Sequence, residues 1–177
     1  LLMAADRALA GLTRRGADFA EFFEERSSSL LVHLEDSRVQ KVLQGDESGL
    51  GLRVLSGDQT FYTCSQRLGA ASGRSLATEL GRVVGTRAAR DKRRSYLRVG
   101  AAPAPPRLSA TSPLPAELAA TVRRVDRRVR AFSPAIRQVI IAGRERRQDV
   151  HIANSLGEDA RDRRIASVWM VQVVAAD

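Results

Sequence analysis

The sequence predicts an α+β fold, an antiparallel sheet of hairpin-connected strands with three helices packed on one side. Three observations carry this. Between residues 18 and 64, stretches of period-two apolar pattern are separated by short links, and short links join antiparallel neighbours, whereas parallel strands need long crossovers. Apolar residues recur at helical spacing in three places, from Leu2, from Leu76 and from Leu118. The last stretch, Ile165 to Ala175, is largely apolar on both faces, the pattern of a central strand.

Taken in order, Leu2, Ala5, Leu9 and Leu12 fall at i, i+3, i+7 and i+10, one face of a helix that Gly16 ends. Asp18 to Arg26 alternates imperfectly and predicts a strand whose carboxylates form the solvent side. Ser29 to Glu35 is the next strand, with Leu30, Val32 and Leu34 on one face. Asp36-Ser37 turns the chain and Arg38 to Gln44 returns it. Gly45 to Ser48 reads as a polar link into a hairpin over Gly49 to Cys64. Gly57-Asp58 closes that hairpin, because glycine at the first central position permits the positive φ of a type II′ turn.

A second helix shows a face of Leu76, Leu80, Val83 or Val84, and Arg87 with Ala88, with Ser72 or Ser75 as its cap. Five of the six prolines then lie between Ser95 and Pro115, which predicts an extended strap or a linker. After Pro115, Leu118, Val122, Val125, Val129 and Phe132 make a clean helical stripe that Ser133-Pro134 ends. Ile136 to Ala142, Asp149 to Ala153 and Ile165 to Ala175 read as three strands, the last one central. The chain thus divides into 1–94 (helix, meander, helix), 95–115 (Pro-rich linker or strap) and 116–177 (helix and three strands completing or adjoining the same domain).

Composition sets limits. The 177 residues suffice for one ordinary core or two small lobes. No apolar run approaches the roughly 20 residues of a membrane span, and Leu1-Leu2-Met3 runs into Asp6 without the pattern of a secretory signal. The expected compartment is the cytoplasm, with no membrane partner. The start at Leu1 and an apolar strand reaching almost to Asp177 predict a natural polypeptide that extends beyond this chain. A single cysteine, Cys64, excludes an internal disulfide and any multi-thiolate zinc site.

The net charge is +9, yet the first 70 residues hold eight basic and ten acidic side chains, so the excess lies beyond them. Lys41 and Lys92 are the only lysines; 27 of 29 basic residues are arginine. Aromatic residues, at 5%, are too few for base-stacking platforms. Arg123, Arg124, Arg127, Arg128 and Arg130 line the predicted third helix, either as a surface for phosphate or an acidic partner, or as a solvated face.

No self-contained active site emerges. His33 and His151 sit on different strands without a second ligand at metal-binding spacing. Cys64 has no motif around it. Gly49-x-Gly51 lacks the third glycine and following helix of a dinucleotide loop and reads as a strand entry or bulge. Ser27, Ser28 and Ser29 have no histidine at triad spacing. Glu24-Glu25 and Glu35-Asp36 are neighbours that point to opposite faces of a strand, which solvated charge explains better than catalysis. No catalytic, metal or cofactor-binding residue is therefore assigned.

The ordered blocks nevertheless carry a likeness. Gly-Ala-Asp-Phe-Ala-Glu (16–21), Glu-Glu-Arg-Ser-Ser-Ser-Leu (24–30), Leu-Glu-Asp-Ser-Arg-Val (34–39), Gly-Leu-Gly-Leu-Arg-Val-Leu-Ser-Gly-Asp (49–58) and Phe-Tyr-Thr (61–63) resemble the amino-terminal domain of the TldD/PmbA family. Ile-Ala-Asn-Ser-Leu-Gly (152–157), Asp-Arg-Arg (162–164) and Val-Val-Ala-Ala-Asp (173–177) resemble the same family's next blocks. The Glu-Glu-Arg-Ser-Ser-Ser and Gly-Asp-Gln-Thr-Phe-Tyr forms lean towards TldD.

The resemblance implies a zinc metallopeptidase, also labelled a modulator of DNA gyrase, that cuts unfolded or flexible peptides and pairs with a PmbA (TldE) subunit or with itself. Its metal is held by a His-Glu-x-x-x-His helix and a later ligand, where zinc activates water and the glutamate is the base. That helix is absent from this sequence. Zinc is thus expected in the parent protein and not on this chain, whose implied role is the amino-terminal, non-catalytic portion. The alternatives are a PmbA-type silent partner subunit, or a nucleic-acid or gyrase-associated module.

Overall fold

The computed structural model describes residues 2–87 and 113–176. The elements are α1 (Leu2–Arg14), β1 (Phe19–Glu35), β2 (Arg38–Ser56), β3 (Gln59–Ser65), α2 (Ala70–Arg87), α3 (Pro115–Arg130), β4 (Ile136–Asn154) and β5 (Asp159–Ala175). The strands form one antiparallel sheet in the order β3-β2-β1-β4-β5. With the three helices this is the predicted α+β fold. Most of the Pro-rich stretch expected over 95–115 lies outside the described residues.

Two compact units divide the chain, and each is assembled from three stretches. Unit 1 takes in the described residues of Leu1–Arg26, Ser48–Pro106 and Asp149–Asp162. Unit 2 takes in those of Ser27–Glu47, Arg107–Gln148 and Arg163–Asp177. Each has a core of its own. In unit 1, Leu9 and Leu12 of α1 and Leu76, Leu80 and Val84 of α2 pack with Ala20, Phe22, Leu50, Leu52 and Val54 of the sheet. In unit 2, Leu118, Ala119 and Val122 of α3 pack with Leu30, Val32, Leu34, Val139 and Ile141.

The strands are longer than the pattern predicted. The strands predicted over Asp18–Arg26 and Ser29–Glu35 are one strand, β1, which starts at Phe19; the link at Gly45–Ser48 lies inside β2, and Gly143–Gln148 inside β4. Each lapse in the apolar pattern lies at or next to a passage from one unit to the other. The backbone ladder continues there because N–H and C=O groups pair whatever the side chain. The apolar alternation lapses because it reports burial in a core, and there the strand leaves one core before joining the next.

Local signals explain the ends. Gly16 closes α1 at φ 101°, with Ala17 N–H donating to the Leu12 carbonyl at 3.2 Å, the left-handed glycine stop of a helix. Gly57 has φ 58° and Asp58 has no positive φ, while Ser56 pairs with Gln59. That is the two-residue loop of the predicted type II′ class, in which only the first central residue is left-handed. Asp36 and Ser37 both have positive φ and make the β1–β2 turn. The cap expected at Ser72 or Ser75 is not used, since α2 starts earlier, at Ala70, and both serines are inside it. Gly69 precedes it, its carbonyl taking the first helical bond from Gly73 N–H at 3.1 Å.

Helix α3 begins at Pro115 as expected, and Leu114 N–H donates to Glu117 Oε2 at 2.9 Å. Its predicted apolar stripe holds through Val129. Phe132, the last member, is 89% exposed because the helix has already ended at Arg130. The largest departure concerns β5. Its two apolar faces predicted a central strand, whereas it is the outermost strand of the sheet and is exposed along most of its length.

Candidate functional site

The residues weighed as ligands or nucleophiles are dispersed. His33 lies in the β1 stretch of unit 2 and His151 in the β4 stretch of unit 1. Cys64 is exposed on β3, and Ser27, Ser28 and Ser29 lie in unit 2. No group of three or more His, Cys, Asp or Glu side chains that could hold a metal ion comes together among the described residues. A zinc site needs three or four such ligands converging at about 2 Å, so the described residues do not fit one.

Gly49 and Gly51 both lie inside β2, and Gly51 is not a bulge. The β2–β3 register is unbroken through Gly51↔Cys64, and a Cβ on Gly51 would meet the Tyr62 hydroxyl at 2.6 Å. The position is small so that the tyrosine ring can lie across it.

A polar group is built into unit 1. Phe22 and Glu24 share the face of β1 that carries Ala20 into the core, two residues apart as strand geometry requires. Glu24 is therefore buried, not part of a solvent side as the sequence predicted. Its Oε1 accepts from Arg26 at 3.1 Å, and its Oε2 is buried with no hydrogen-bond partner. The Phe22 ring meets His151 edge to face at 5.6 Å. His151 Nε2 lies 3.0 Å from Asp159 Oδ1, and Arg161 approaches the same oxygen at 3.9 Å. Parity alone did not single out Glu24, because Ala20 and Phe22 on its face are matched by Phe19 and Phe23 on the other.

A carboxylate oxygen left without a partner inside a protein forfeits about 1–3 kcal/mol of solvation. Glu24→Met should therefore raise stability, by about 1 kcal/mol after the lost Arg26 pair is set against it. Urea unfolding with an unchanged m-value would register the gain, and a lower midpoint would contradict it.

Basic residues mark two further surfaces. In unit 1 a cleft of about 260 Å³ between α1 and α2 is lined by Arg7, Arg15, Arg74 and small residues, and a groove of about 540 Å³ follows Arg74, Ser75, Thr78, Glu79 and Arg82 along α2. In unit 2, Arg123, Arg124, Arg127 and Arg128 are exposed along α3. Arg130, grouped with them by sequence, is turned inward. Its Nε donates to Oδ1 of the buried Asp126 at 3.0 Å. The exposed guanidinium groups can bind anions.

The described residues form an α+β sheet with two cores, and no group of metal ligands comes together among them. Comparison with known proteins gives the family. Residues 20–89 match the PmbA/TldA metallopeptidase domain 1, and residues 109–177 match the PmbA/TldA metallopeptidase central domain. The chain belongs to the PmbA/TldD family. No curated protein sequence matches it significantly.

Among solved structures, a candidate modulator of a DNA gyrase from Thermotoga maritima superposes with a TM-score of 0.76 at 13% identity, covering 99% of this chain and 40% of that one. TldE from Thermococcus kodakarensis gives 0.67 at 11% identity, covering 98% and 40%. A candidate modulator of DNA gyrase from Bacteroides thetaiotaomicron gives 0.66 at 14%, covering 99% and 41%. At these identities the likeness is one of fold. The chain spans about 40% of the length of the Thermotoga and Thermococcus chains it matches.

Proposed function

We propose that the chain is the amino-terminal, non-catalytic portion of a TldD-like zinc metallopeptidase that acts on unfolded or flexible peptides in the cytoplasm. The observation that carries this reading is the pair of family matches. Two consecutive domains of one metallopeptidase family align in order along the chain, while its only histidines fall in different units. The metal-holding residues then belong to polypeptide outside these 177 residues, and no site residue is assigned within them. The chain's work is to form part of the enzyme's framework and to pair with a PmbA/TldE-like subunit or a second copy.

The test compares the 177-residue chain with the longer polypeptide of its gene. Elemental analysis should find stoichiometric zinc in the longer protein and none in the chain alone, and only the longer protein should cleave casein. A tightly bound zinc on the 177 residues would overturn the reading. Zinc-free, inactive longer protein would favour the silent PmbA-type subunit instead.

A second reading rests on the exposed row Arg123, Arg124, Arg127 and Arg128: a surface for nucleic acid, or for gyrase-associated assembly. It predicts DNA affinity that falls steeply with salt and is weakened by Arg123→Gln with Arg127→Gln. No DNA binding at low salt would end it.

A further inference from the structure

In unit 2 α3 covers one face of the sheet over β1 and β4 and no described helix covers the other, while β5 is exposed on both faces, with Val171 at 45% and Val173 at 43%. α3 packs on Leu30, Val32 and Leu34 of β1 and on Val139 and Ile141 of β4. Trp169 of β5 lies on that same side, since a Cβ at Gly143 would meet its ring at 3.0 Å and Leu118 Cδ1 at 3.4 Å. Alternation along the strands places Leu31, Ile140, Ala142, Val168, Met170 and Val174 on the opposite face. Val168 is 63% exposed and Met170 51%.

An antiparallel sheet with one solvated face ordinarily carries polar residues there. Here polar residues share the face, with Gln138 Nε2 donating to Glu35 Oε1 at 3.0 Å and His33 and Gln172 at the same parity, but Leu31, Ile140, Ala142, Val168, Met170 and Val174 leave an apolar patch beside them. The outer edge of β5 has the same character, because the run Ile165 to Ala175 contains no charged residue and no proline, and β5 is last in the sheet order. Soluble proteins guard such edges with charges, prolines or bulges, because a bare one invites pairing with another chain. An apolar patch left open together with an unguarded edge marks a contact surface.

The occupant is indicated by how much polypeptide is missing. The matched structures are about two and a half times as long as the aligned part, by the 40% coverage of the Thermotoga chain. The match over 109–177 is to a central domain, one with a domain on either side. A partner on the same polypeptide is present at every protein concentration, which is what an edge without gatekeepers requires. A second copy would leave it bare on dilution. We propose that the rest of the natural polypeptide packs on the bare face of unit 2 and hydrogen-bonds along β5, turning it into an interior strand. This rests on the reading that the chain is part of a longer family member, and not on that protein's being active.

Hydrogen exchange of residues 165–175, read by mass spectrometry, tests it in the 177-residue chain and in the longer polypeptide at two concentrations. Exchange should be slower in the longer protein by about tenfold or more at both concentrations. The double variant Val168→Lys with Met170→Lys should lower the melting temperature of the longer protein by about 5 °C or more and leave that of the 177-residue chain within about 2 °C. Equal exchange in the two proteins would overturn the proposal. So would protection in the 177-residue chain that grows with concentration, which would assign the face to a second copy. A longer protein without zinc or peptidase activity but with β5 protected would sink the proposed function and leave this inference standing.

Discussion

Arg130→Met is expected to destabilise the protein by about 2–3 kcal/mol, whereas Arg123→Met, Arg127→Met and Arg128→Met should each stay within about 0.5 kcal/mol. The five arginines of α3 look equivalent in sequence, and the structure separates them. Asp126 faces the core beside Val122, with its side chain 4% exposed, and Arg130 one turn later supplies its cation. Removing the cation leaves a carboxylate stranded out of water, and removing one member of a buried pair generally costs about 3–5 kcal/mol. The figure here is set below that range because Arg130 itself is partly in water. Thermal melts would show the contrast as a fall of about 5–10 °C for Arg130→Met alone. Four equal responses would mean that the inward turn of Arg130 is wrong. If Asp126→Asn together with Arg130→Met recovered most of the loss, the stranded charge would be its cause.

Leu52→Ala should cost about 3 kcal/mol or more, within the about 2–5 kcal/mol that deletion of a buried leucine side chain removes. Leu52 is fully buried in unit 1 and shares its cluster with Phe22, Leu76 and Leu80. It belongs to the sheet layer under two helices, so relaxation to refill the space would have to move a strand paired on β3 or one of those helices. The control is on the next strand. Tyr62→Ala, at a side chain 63% exposed, should change the urea midpoint little. A Leu52→Ala loss below about 1 kcal/mol would mean that the position is less closely packed than its burial indicates.

Much of the architecture was legible from side chains that act locally. Gly16 and Gly57 mark a helix end and a turn because each needs a positive φ that glycine supplies without strain. Leu118 and Val122 mark the face of α3 because helix geometry returns them to one side. What was illegible depends on distant partners. The gaps at Ser27–Ser28 and Gly45–Ser48 looked like loops because a strand between two cores loses its apolar rhythm and keeps its hydrogen bonds. Glu24 looked solvated because no single-sequence rule says which parity of β1 faces α1 and α2. β5 looked central because its faces are apolar, and in this chain it is an edge. No catalytic centre could be read, and the described residues bring no metal-ligand group together.

The interleaving of the two units sets an order on biosynthesis. The contacts that complete unit 1 join the ends of the chain. Ala20 N–H donates to Ser155 Oγ at 3.0 Å and Ser155 N–H to the Ala20 carbonyl at 2.8 Å, bonds that span 135 residues. Synthesis delivers α1, β1, β2, β3 and α2 long before β4, so one side of β1 has no neighbour while most of the protein is still being made. Contacts of such long range also slow folding, since loop closure precedes any reward from them. β1 is made before β2, β3 and β4, yet it is enclosed only when β4 arrives.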